Sequence, residues 1–252
     1  MLPVTAASAA PSLGPELRLE PPTGSWPALS NRALNNDRAK ATRAALGLSP
    51  DRSIVISGHQ PTLWHPGILS KRFALTAHAR SHGAQPVWLV VDQDAVDAWS
   101  LDIPISAGDG SLSQSVLRLA PPPAEASPAC AQRTVIPSTT GADGLSAVLR
   151  DRIDRAISAL AAGRHEPSAA KQVERATSSW LSDTTPTVYA SELHRLPVFD
   201  RLLSAMADDA ASCARAYNHA VRAHGGARPL ECRGENDWEL PLWEINSVRS
   251  PV

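Results

Sequence analysis

A strand–helix–strand pattern between residues 53 and 94 constrains the fold of this chain more than any other feature. The β-branched run SIVI at residues 53–56 predicts a short buried strand, and the apolar run in QPVWLVVDQD, residues 85–94, predicts a second strand buried on both faces. Between them, GILSKRFALTAHARSHG at residues 67–83 has apolar residues at helical spacing and closes with Gly83. We therefore expect residues 53–92 to form a βαβ unit with parallel strands and a right-handed crossover.

The flanking sequence extends this unit into an α/β domain, expected over residues 31–252, with a Rossmann-like parallel sheet at its core. Residues 1–30 are rich in Ala, Pro and Ser and predict a disordered leader. A helical insertion is expected over about residues 140–183, where we expect an amphipathic stripe to be buried against a second helix that carries Trp180. That stripe consists of Leu145, Val148, Leu149, Ile153, Ile157 and Leu160.

Other runs predict the remaining elements. SVLRLA, TPTVYAS and WELPLWEI are typical of strands, and residues 31–47 predict a helix that ends at Gly47. Residues 196–226 predict one long helix with Pro197 in its first turn and Gly225–Gly226 at its end. The chain stops at NSVRSPV, soon after the last apolar run. This predicts a fold truncated at its C-terminus, with a free strand edge through which copies of the chain could associate.

Composition excludes several classes of function. The 252 residues carry a formal net charge of −1 and include 19% charged residues, so the chain lacks the basic excess typical of nucleic-acid binding. No apolar run approaches the ~20 residues that span a bilayer. The three cysteines form no close pair, which favours a reducing cytoplasm over a disulfide framework. We expect a cytoplasmic protein that acts on a small molecule, with no membrane or nucleic-acid partner.

The turn SGHQPTLWHPGI, residues 57–68, is the strongest candidate for a binding site. In a βαβ unit, ligands bind at the carboxyl ends of the strands, where the first N–H groups of the crossover helix favour an anion. We expect at least one histidine and one aspartate to line a common pocket above Gly67. The candidate catalytic residues are His59, His65, Asp92 and Asp94, and the candidate substrate- or nucleotide-binding residues are Gly58, Gln60, Gly67 and Lys71.

Each candidate also has a purely structural interpretation. Prolines and glycines after a strand are usual in turns, and Lys71 is equally well explained as a solvated surface lysine. Trp64 and Trp88 are expected in the core rather than as stacking platforms. The chain has no Walker loop and no GxGxxG or GxSxG motif. A metal site is not expected either, because one helix face cannot present Cys213, His219, His224 and Cys232 together.

The motif VISGHQPTLWHPGIL followed by PVWLVVDQDAVD resembles the opening of the bacillithiol-biosynthesis cysteine-adding enzymes. That family begins its Rossmann-like core with a strand, a TGQQ-type turn with a glycine–proline pair, a helix, and a strand ending in an EDHD-type acidic cluster. Gly58 and Gln60 keep the turn, His59 replaces a glutamine, and Pro66–Gly67 inverts the pair. The run Asp92–Gln93–Asp94 matches the acidic cluster with one residue of slippage and Gln93 in place of a histidine. Lys71 is offset from the family's helix lysine, whose role is not carried over.

Two further resemblances concern the same turn. A set of uncharacterised, chiefly planctomycete proteins carries a GHQxxLWHPGI signature and a later ELPFW segment, matched here by ELPLW at residues 239–243, and these proteins are longer than this chain. The HxGH signature of nucleotidylyltransferases is similar to His65–Pro66–Gly67, with Ile68 in place of the last histidine.

The first resemblance implies a ligase-like condensation of an amine with an amino acid. The turn from Gly58 to Gly67 would bind an anionic substrate or a nucleotide, and His59 or His65 would stabilise developing charge. Asp92 or Asp94 would act as a base on the attacking amine or hold Mg²⁺, so the cofactor would be a nucleotide with Mg²⁺. Two alternatives stay open: a nucleotidyltransferase that uses the same edge, and a truncated, inactive paralogue that only binds a ligand or partner.

Overall fold

The computed structural model describes residues 23–25, 28, 36–63, 65–106, 109–122, 127–139, 145–234, 237–246 and 248–252. The leader predicted at residues 1–30 lies almost entirely outside the described residues, as do Trp64 and residues 140–144. The described helices are, in chain order, α1 (Asp37–Ala45), α2 (Pro66–Ser81), α3 (Ala147–Ala162), α4 (Ala169–Leu181), α5 (Pro197–Asp208) and α6 (Ala210–His224), with short 3₁₀ helices at Thr23–Ser25 and Ala190–Arg195. The described strands are β1 (Ile54–His59), β2 (Gln85–Val90), β3 (Ser100–Ser106), β4 (Leu112–Arg118), β5 (Thr187–Tyr189), β6 (Trp243–Ile245) and β7 (Arg249–Pro251).

The central sheet contains the predicted βαβ unit, which is confirmed. β1 and β2 are parallel, with Gly58 opposite Leu89, and α2 connects them. β5 continues the sheet on the other side of β2, with Val188 opposite Leu89, so the strand order is β1–β2–β5. The protein therefore has a mixed α/β fold built around three parallel strands.

Apolar side chains cover both faces of this sheet. On one face, Leu75 of α2 packs with Trp88 and Val90 of β2, so Trp88 is a core residue as expected. On the other face, Leu48, which follows α1, packs with Val87 of β2. Because β2 is buried on both sides, its sequence is continuously apolar rather than alternating.

A second layer is formed by the antiparallel hairpin β3–β4 and the helix pair α3–α4. Leu117 of β4, Leu160 of α3 and Val173 of α4 are at most 2% exposed and share one core. The helix pair lies between β4 and β5 along the chain, where the sequence predicts the helical insertion. The strand predicted at SVLRLA is confirmed as β4, whereas β3 has no clear strand signal because Pro104 interrupts it.

The prediction that Val148 is buried is wrong. Val148 is 66% exposed, although Ile153 and Leu160 of the same stripe are buried. The reason is that α4 and the hairpin cover only the face of α3 that carries Ile153 and Leu160.

The predicted long helix over residues 196–226 is also wrong, because the structure has two helices there. Asp209 separates α5 from α6, with φ −141° and ψ 65°. Its carboxylate accepts the backbone N–H of Ser212 at 3.0 Å and so caps the second helix. An aspartate that bonds its own backbone in this way competes with a continuous helix. Pro197 opens α5 as predicted.

The last apolar run forms a short antiparallel pair, β6–β7, in which Trp243 lies opposite Pro251. The segment before β6 is held to α6, because the Asn218 amide exchanges two hydrogen bonds, of 2.9 and 2.7 Å, with the backbone of Leu230. Among the helices of the described ranges, none is long and apolar enough to cross a membrane.

Candidate functional site

A wide opening lies at the carboxyl ends of β2 and β5. It has a volume of ≈ 540 Å³, and we call it the edge cavity. Its lining includes Gln93, which follows β2, and three residues of the 3₁₀ helix that follows β5. These positions agree with the rule that ligands of parallel sheets bind beyond the carboxyl ends of the strands. The side chains that matter most for its chemistry are Gln93, Cys130, Ser191, His194, Arg195 and Trp243.

Asp92 supports the floor of the edge cavity from behind. It is 1% exposed, and its two carboxylate oxygens accept the backbone N–H and the hydroxyl of Ser191, at 2.8 and 2.6 Å. These bonds join the end of β2 to the start of the 3₁₀ helix after β5. Asp92 therefore contacts the cavity through Ser191, and its charge lies directly behind that hydroxyl.

His194 and Arg195 are exposed at the rim of the edge cavity. The Nδ1 atom of His194 lies 2.6 Å from the backbone carbonyl oxygen of Ser191. Because a carbonyl only accepts hydrogen bonds, Nδ1 must carry the proton in this contact, which leaves Nε2 as the acceptor of the neutral ring. Gln93 is held by a 3.2 Å hydrogen bond from its amide to the carbonyl of Ala190.

Cys130 contributes a thiol, not a thiolate, to the cavity. Burial raises the pKa of Cys130 to about 11, and the nearby negative charge of Asp92 adds to this effect. The backbone N–H of Cys130 also donates to the carbonyl of Asp92 at 2.9 Å. A thiol with so high a pKa is a poor nucleophile near neutral pH, so Cys130 acts as a wall of the cavity.

His59, Gln60 and Asp94 form a separate group at the end of β1. The Gln60 amide donates to Asp94 Oδ2 at 2.9 Å, and His59 Nδ1 lies 3.2 Å from the Gln60 carbonyl oxygen. His59 and Gln60 line a cavity of only ≈ 20 Å³, which has room for about one water molecule. The structure thus brings Gln60 and Asp94 together, but among the described residues neither Asp92 nor Asp94 lines this cavity, so it is not the common pocket that the sequence predicts.

The N-terminus of α2, the predicted anion site, is capped by the chain itself. Pro66 has no N–H group, and the N–H of Gly67 donates to Nδ1 of His65 at 3.1 Å. The N–H groups of Ile68 and Leu69 donate to the His65 carbonyl at 2.9 and 3.1 Å. The donors that the sequence suggested for a ligand are therefore already engaged within the turn.

Gly58 and Lys71 have different surroundings from those expected of binding residues. Gly58 lies inside β1 rather than in the turn, and a Cβ atom there would stand 2.1 Å from the carbonyl oxygen of Leu89. The glycine is thus explained by the close approach of two strands. Lys71 is exposed on α2, which agrees with its alternative interpretation as a solvated surface lysine.

The buried cation of α2 is Arg72, the neighbour of Lys71. Its guanidinium donates to both carboxylate oxygens of Glu174 on α4, at 3.0 and 2.7 Å, and also to Asp183. It lies 5.2 Å from the centroid of the Trp88 ring. Burial lowers the pKa of Arg72, but the hydrogen bonds and charge of Glu174 and Asp183 outweigh it and leave the pKa above its ordinary value. This cluster fastens α2 to α4.

The expected Mg²⁺ is not supported by the donor set. In the described part of the chain, no three His, Cys, Asp or Glu side chains converge as metal ligands. Both carboxylate oxygens of Asp92 accept hydrogen bonds from Ser191, and Asp94 accepts a hydrogen bond from the Gln60 amide. The residues present do not fit the ion, and no step is assigned to it.

Residues 191–195 at the rim are not among the site residues predicted from the sequence, because the sequence does not show where the preceding strand lies in the sheet. These residues begin at the last position of TPTVYAS, residues 185–191, which the sequence predicts as a strand. Once that strand is set parallel to β2, its carboxyl end meets the edge where Asp92 lies. The strand itself is predictable from the sequence, but its neighbours in the sheet, and hence the position of residues 191–195, are not. No protein-family model and no curated protein matches this chain.

Proposed function

We propose that this protein is a ligase-like enzyme that condenses an amine with an amino acid, and that the amino acid binds in the edge cavity. The reaction class rests on the resemblance of residues 55–97 to the cysteine-adding enzymes. The position of the substrate rests on the cavity at the carboxyl edge of the three-stranded parallel sheet. Its volume of ≈ 540 Å³ is in the range of small-molecule sites.

The observation that carries this proposal is the pairing of opposite charges around one cavity. Arg195 offers a guanidinium at the rim, a group suited to a planar carboxylate. On the floor, the Ser191 hydroxyl is backed by the buried Asp92 carboxylate, which favours an ammonium group. A free amino acid carries both of these charges, so it complements both ends of the site.

The two alternative functions have less support. A nucleotidyltransferase of the HxGH type would need an imidazole where Ile68 stands, and His65 uses Nδ1 to cap α2. A nucleotide at the first turn would have to displace that cap. An inactive, ligand-binding paralogue would bind the same amino acid without turnover, and the experiment below separates it from an enzyme.

Calorimetric titration of the full chain with L-cysteine tests the proposal. Two matched ligands isolate the charges: cysteamine lacks the carboxylate, and N-acetyl-L-cysteine lacks the ammonium group. We expect L-cysteine to bind at least ~10-fold more tightly than either analogue, equivalent to ~1.4 kcal/mol. Arg195→Gln should weaken L-cysteine and leave cysteamine unchanged, whereas Arg201→Gln, exposed on α5, should change neither.

Turnover is measured with hydroxylamine as the amine, with and without ATP, by the appearance of the amino-acid hydroxamate. Product formation supports a ligase, and binding without product identifies the inactive paralogue. If neither L-cysteine nor any other standard amino acid binds, the proposed function is wrong.

A further inference from the structure

We propose that His194 is the general base of the edge cavity, the group that removes a proton from the attacking amine. This inference rests on the proposed function and adds a catalytic residue to it. The sequence resemblance assigned that role to an aspartate. In the structure, both oxygens of Asp92 are bound by Ser191, and Asp94 is bound by Gln60.

The first argument is the tautomer of the His194 ring. Its Nδ1 atom lies 2.6 Å from the Ser191 carbonyl oxygen, which can only accept. The neutral ring therefore carries its proton on Nδ1 and a lone pair on Nε2. A lone pair on an exposed ring at a cavity rim is what a proton acceptor requires.

The second argument is that this ring is held in place. Ser191, which fixes Nδ1 of His194, is itself fixed by two hydrogen bonds to the fully buried Asp92. The chain of contacts runs from the end of β2 to the rim of the cavity. It sets the orientation of the imidazole before any ligand arrives, through the backbone carbonyl of Ser191.

The third argument comes from comparing the three histidines near this edge of the sheet. His65 accepts a hydrogen bond at Nδ1, so its neutral ring carries the proton on Nε2 and offers no second lone pair. His59 has Nδ1 near a carbonyl, like His194, but it lines a cavity of only ≈ 20 Å³. Of the three, His194 alone lines a cavity with a volume in the range of small-molecule sites, ≈ 540 Å³.

The position of His194 also suits the reaction. Its neighbour Arg195 is the proposed partner of the amino-acid carboxylate, so the attacking amine must approach next to His194. The incoming ammonium group loses one proton to Nε2, its N–H bonding pair stays on nitrogen as the lone pair, and the ring becomes an imidazolium. The lone pair then forms the C–N bond at the carboxyl carbon of the amino acid, which a nucleoside triphosphate has activated as an acyl phosphate. The C–O bond breaks, and phosphate leaves with its electron pair and takes up a second proton of the amine. Binding of the carboxylate also offsets the charge of Arg195, which would otherwise oppose a cationic ring beside it.

Two measurements on the full chain test the inference. The first is the ¹⁵N NMR spectrum of the histidine rings, with the His194 signals assigned by their loss in His194→Gln. We expect the neutral ring with the proton on Nδ1. A ring with its proton on Nε2 would overturn the inference, whatever the protein's activity.

The second measurement compares two amines in the hydroxamate and amide assays. Hydroxylamine is largely unprotonated near neutral pH, whereas methylamine is almost fully protonated and must first lose a proton. His194→Gln should leave the Kd for L-cysteine within ~2-fold, reduce turnover with methylamine by ~100-fold or more, and reduce turnover with hydroxylamine much less. His219→Gln, exposed on α6, is the matched control and should change none of these values.

The outcomes are distinguishable. Loss of both reactions to the same extent, or of neither, in His194→Gln would show that His194 is not the base although the enzyme is a ligase. No binding and no product with the wild-type chain would instead overturn the proposed function, and the role of His194 with it.

Discussion

Gly58 and Leu89 face each other across β1 and β2 so closely that a Cβ atom on Gly58 would stand 2.1 Å from the Leu89 carbonyl oxygen. The backbone carbonyl of Leu89 cannot rotate away as a side chain can, so Gly58→Ala should push the two strands apart. We expect a loss of about 3 kcal/mol or more in the free energy of unfolding, measured by urea denaturation. Gly67→Ala is the control, because its nearest neighbour is the exposed His65 ring, which can move. Equal effects of the two substitutions would contradict this view of Gly58.

Removing Arg72 should be among the most damaging single changes in the protein. The side chains of Arg72 and Glu174 are 3% and 9% exposed, so Arg72→Ala would leave Glu174 charged, buried and without its main partner. We expect a loss of about 3–5 kcal/mol in the free energy of unfolding. The control is Arg155→Ala, whose pair with Asp151 is 70% and 59% exposed and should contribute little to stability, because solvent screens the charges. A similar effect of the two changes would refute the structural role of the cluster.

The stability that Glu239 contributes should depend on pH. Hydrogen bonds from Arg228, and a further one from the backbone of Glu231, lower the pKa of Glu239 from 4.5 to about 2. A pKa lowered by folding means that the stabilisation is complete above pH 4.5 and is lost as the pH falls towards 2. Glu239→Gln should therefore be clearly less stable than wild type at pH 7, and the gap should narrow between pH 4.5 and 2.

Thermal unfolding of wild type and Glu239→Gln across this pH range checks the prediction. Glu244→Gln removes the same charge from an exposed position on β6 and serves as the control. A constant difference between wild type and Glu239→Gln at every pH would mean that shape, and not charge, explains the effect.

Cys130 should resist alkylation although it lines an open cavity. With a pKa of about 11 instead of 9.0, it carries about 100-fold less thiolate near neutral pH. Iodoacetamide at pH 7.5 should therefore modify the exposed Cys232 at least ~10-fold faster, as measured by mass spectrometry of the peptides. Preferential modification of Cys130 would indicate an activated thiol and a different role for the cavity.

The elements with local signals were predictable from sequence. The helical spacing over residues 67–83 and the apolar run of β2 each follow from neighbours along the chain, and the structure has both. The predictions were wrong where the conformation or burial of a residue depends on distant parts of the chain or on hydrogen bonds to its own backbone. Val148 looks like a core residue, but its exposure depends on what covers α3, and Asp209 breaks a helix whose pattern continues past it.

The candidate site shows the same division. The sequence places Asp92 at the carboxyl edge of the sheet, where the structure also has it, but its partner Ser191 is 99 residues away along the chain. Nothing in the local pattern links the two. His65 illustrates the reverse case, because a histidine before Pro66 can cap a helix as well as bind a ligand, and only the coordinates show that it caps.

The two hydrogen bonds between Asp92 and Ser191, which we call the clamp, also affect the order in which the sheet assembles. The contact between Gln60 and Asp94 closes a loop of 34 residues, whereas the clamp closes one of 99 residues. Loop closure alone makes the longer contact about 1 kcal/mol more costly, so the βαβ unit should form first and β5 should join late. The edge cavity is lined by residues that follow both β2 and β5, so it cannot be complete before β5 has joined the sheet. A bound substrate would then slow the detachment of β5, and hydrogen exchange in residues 187–195 would report its presence.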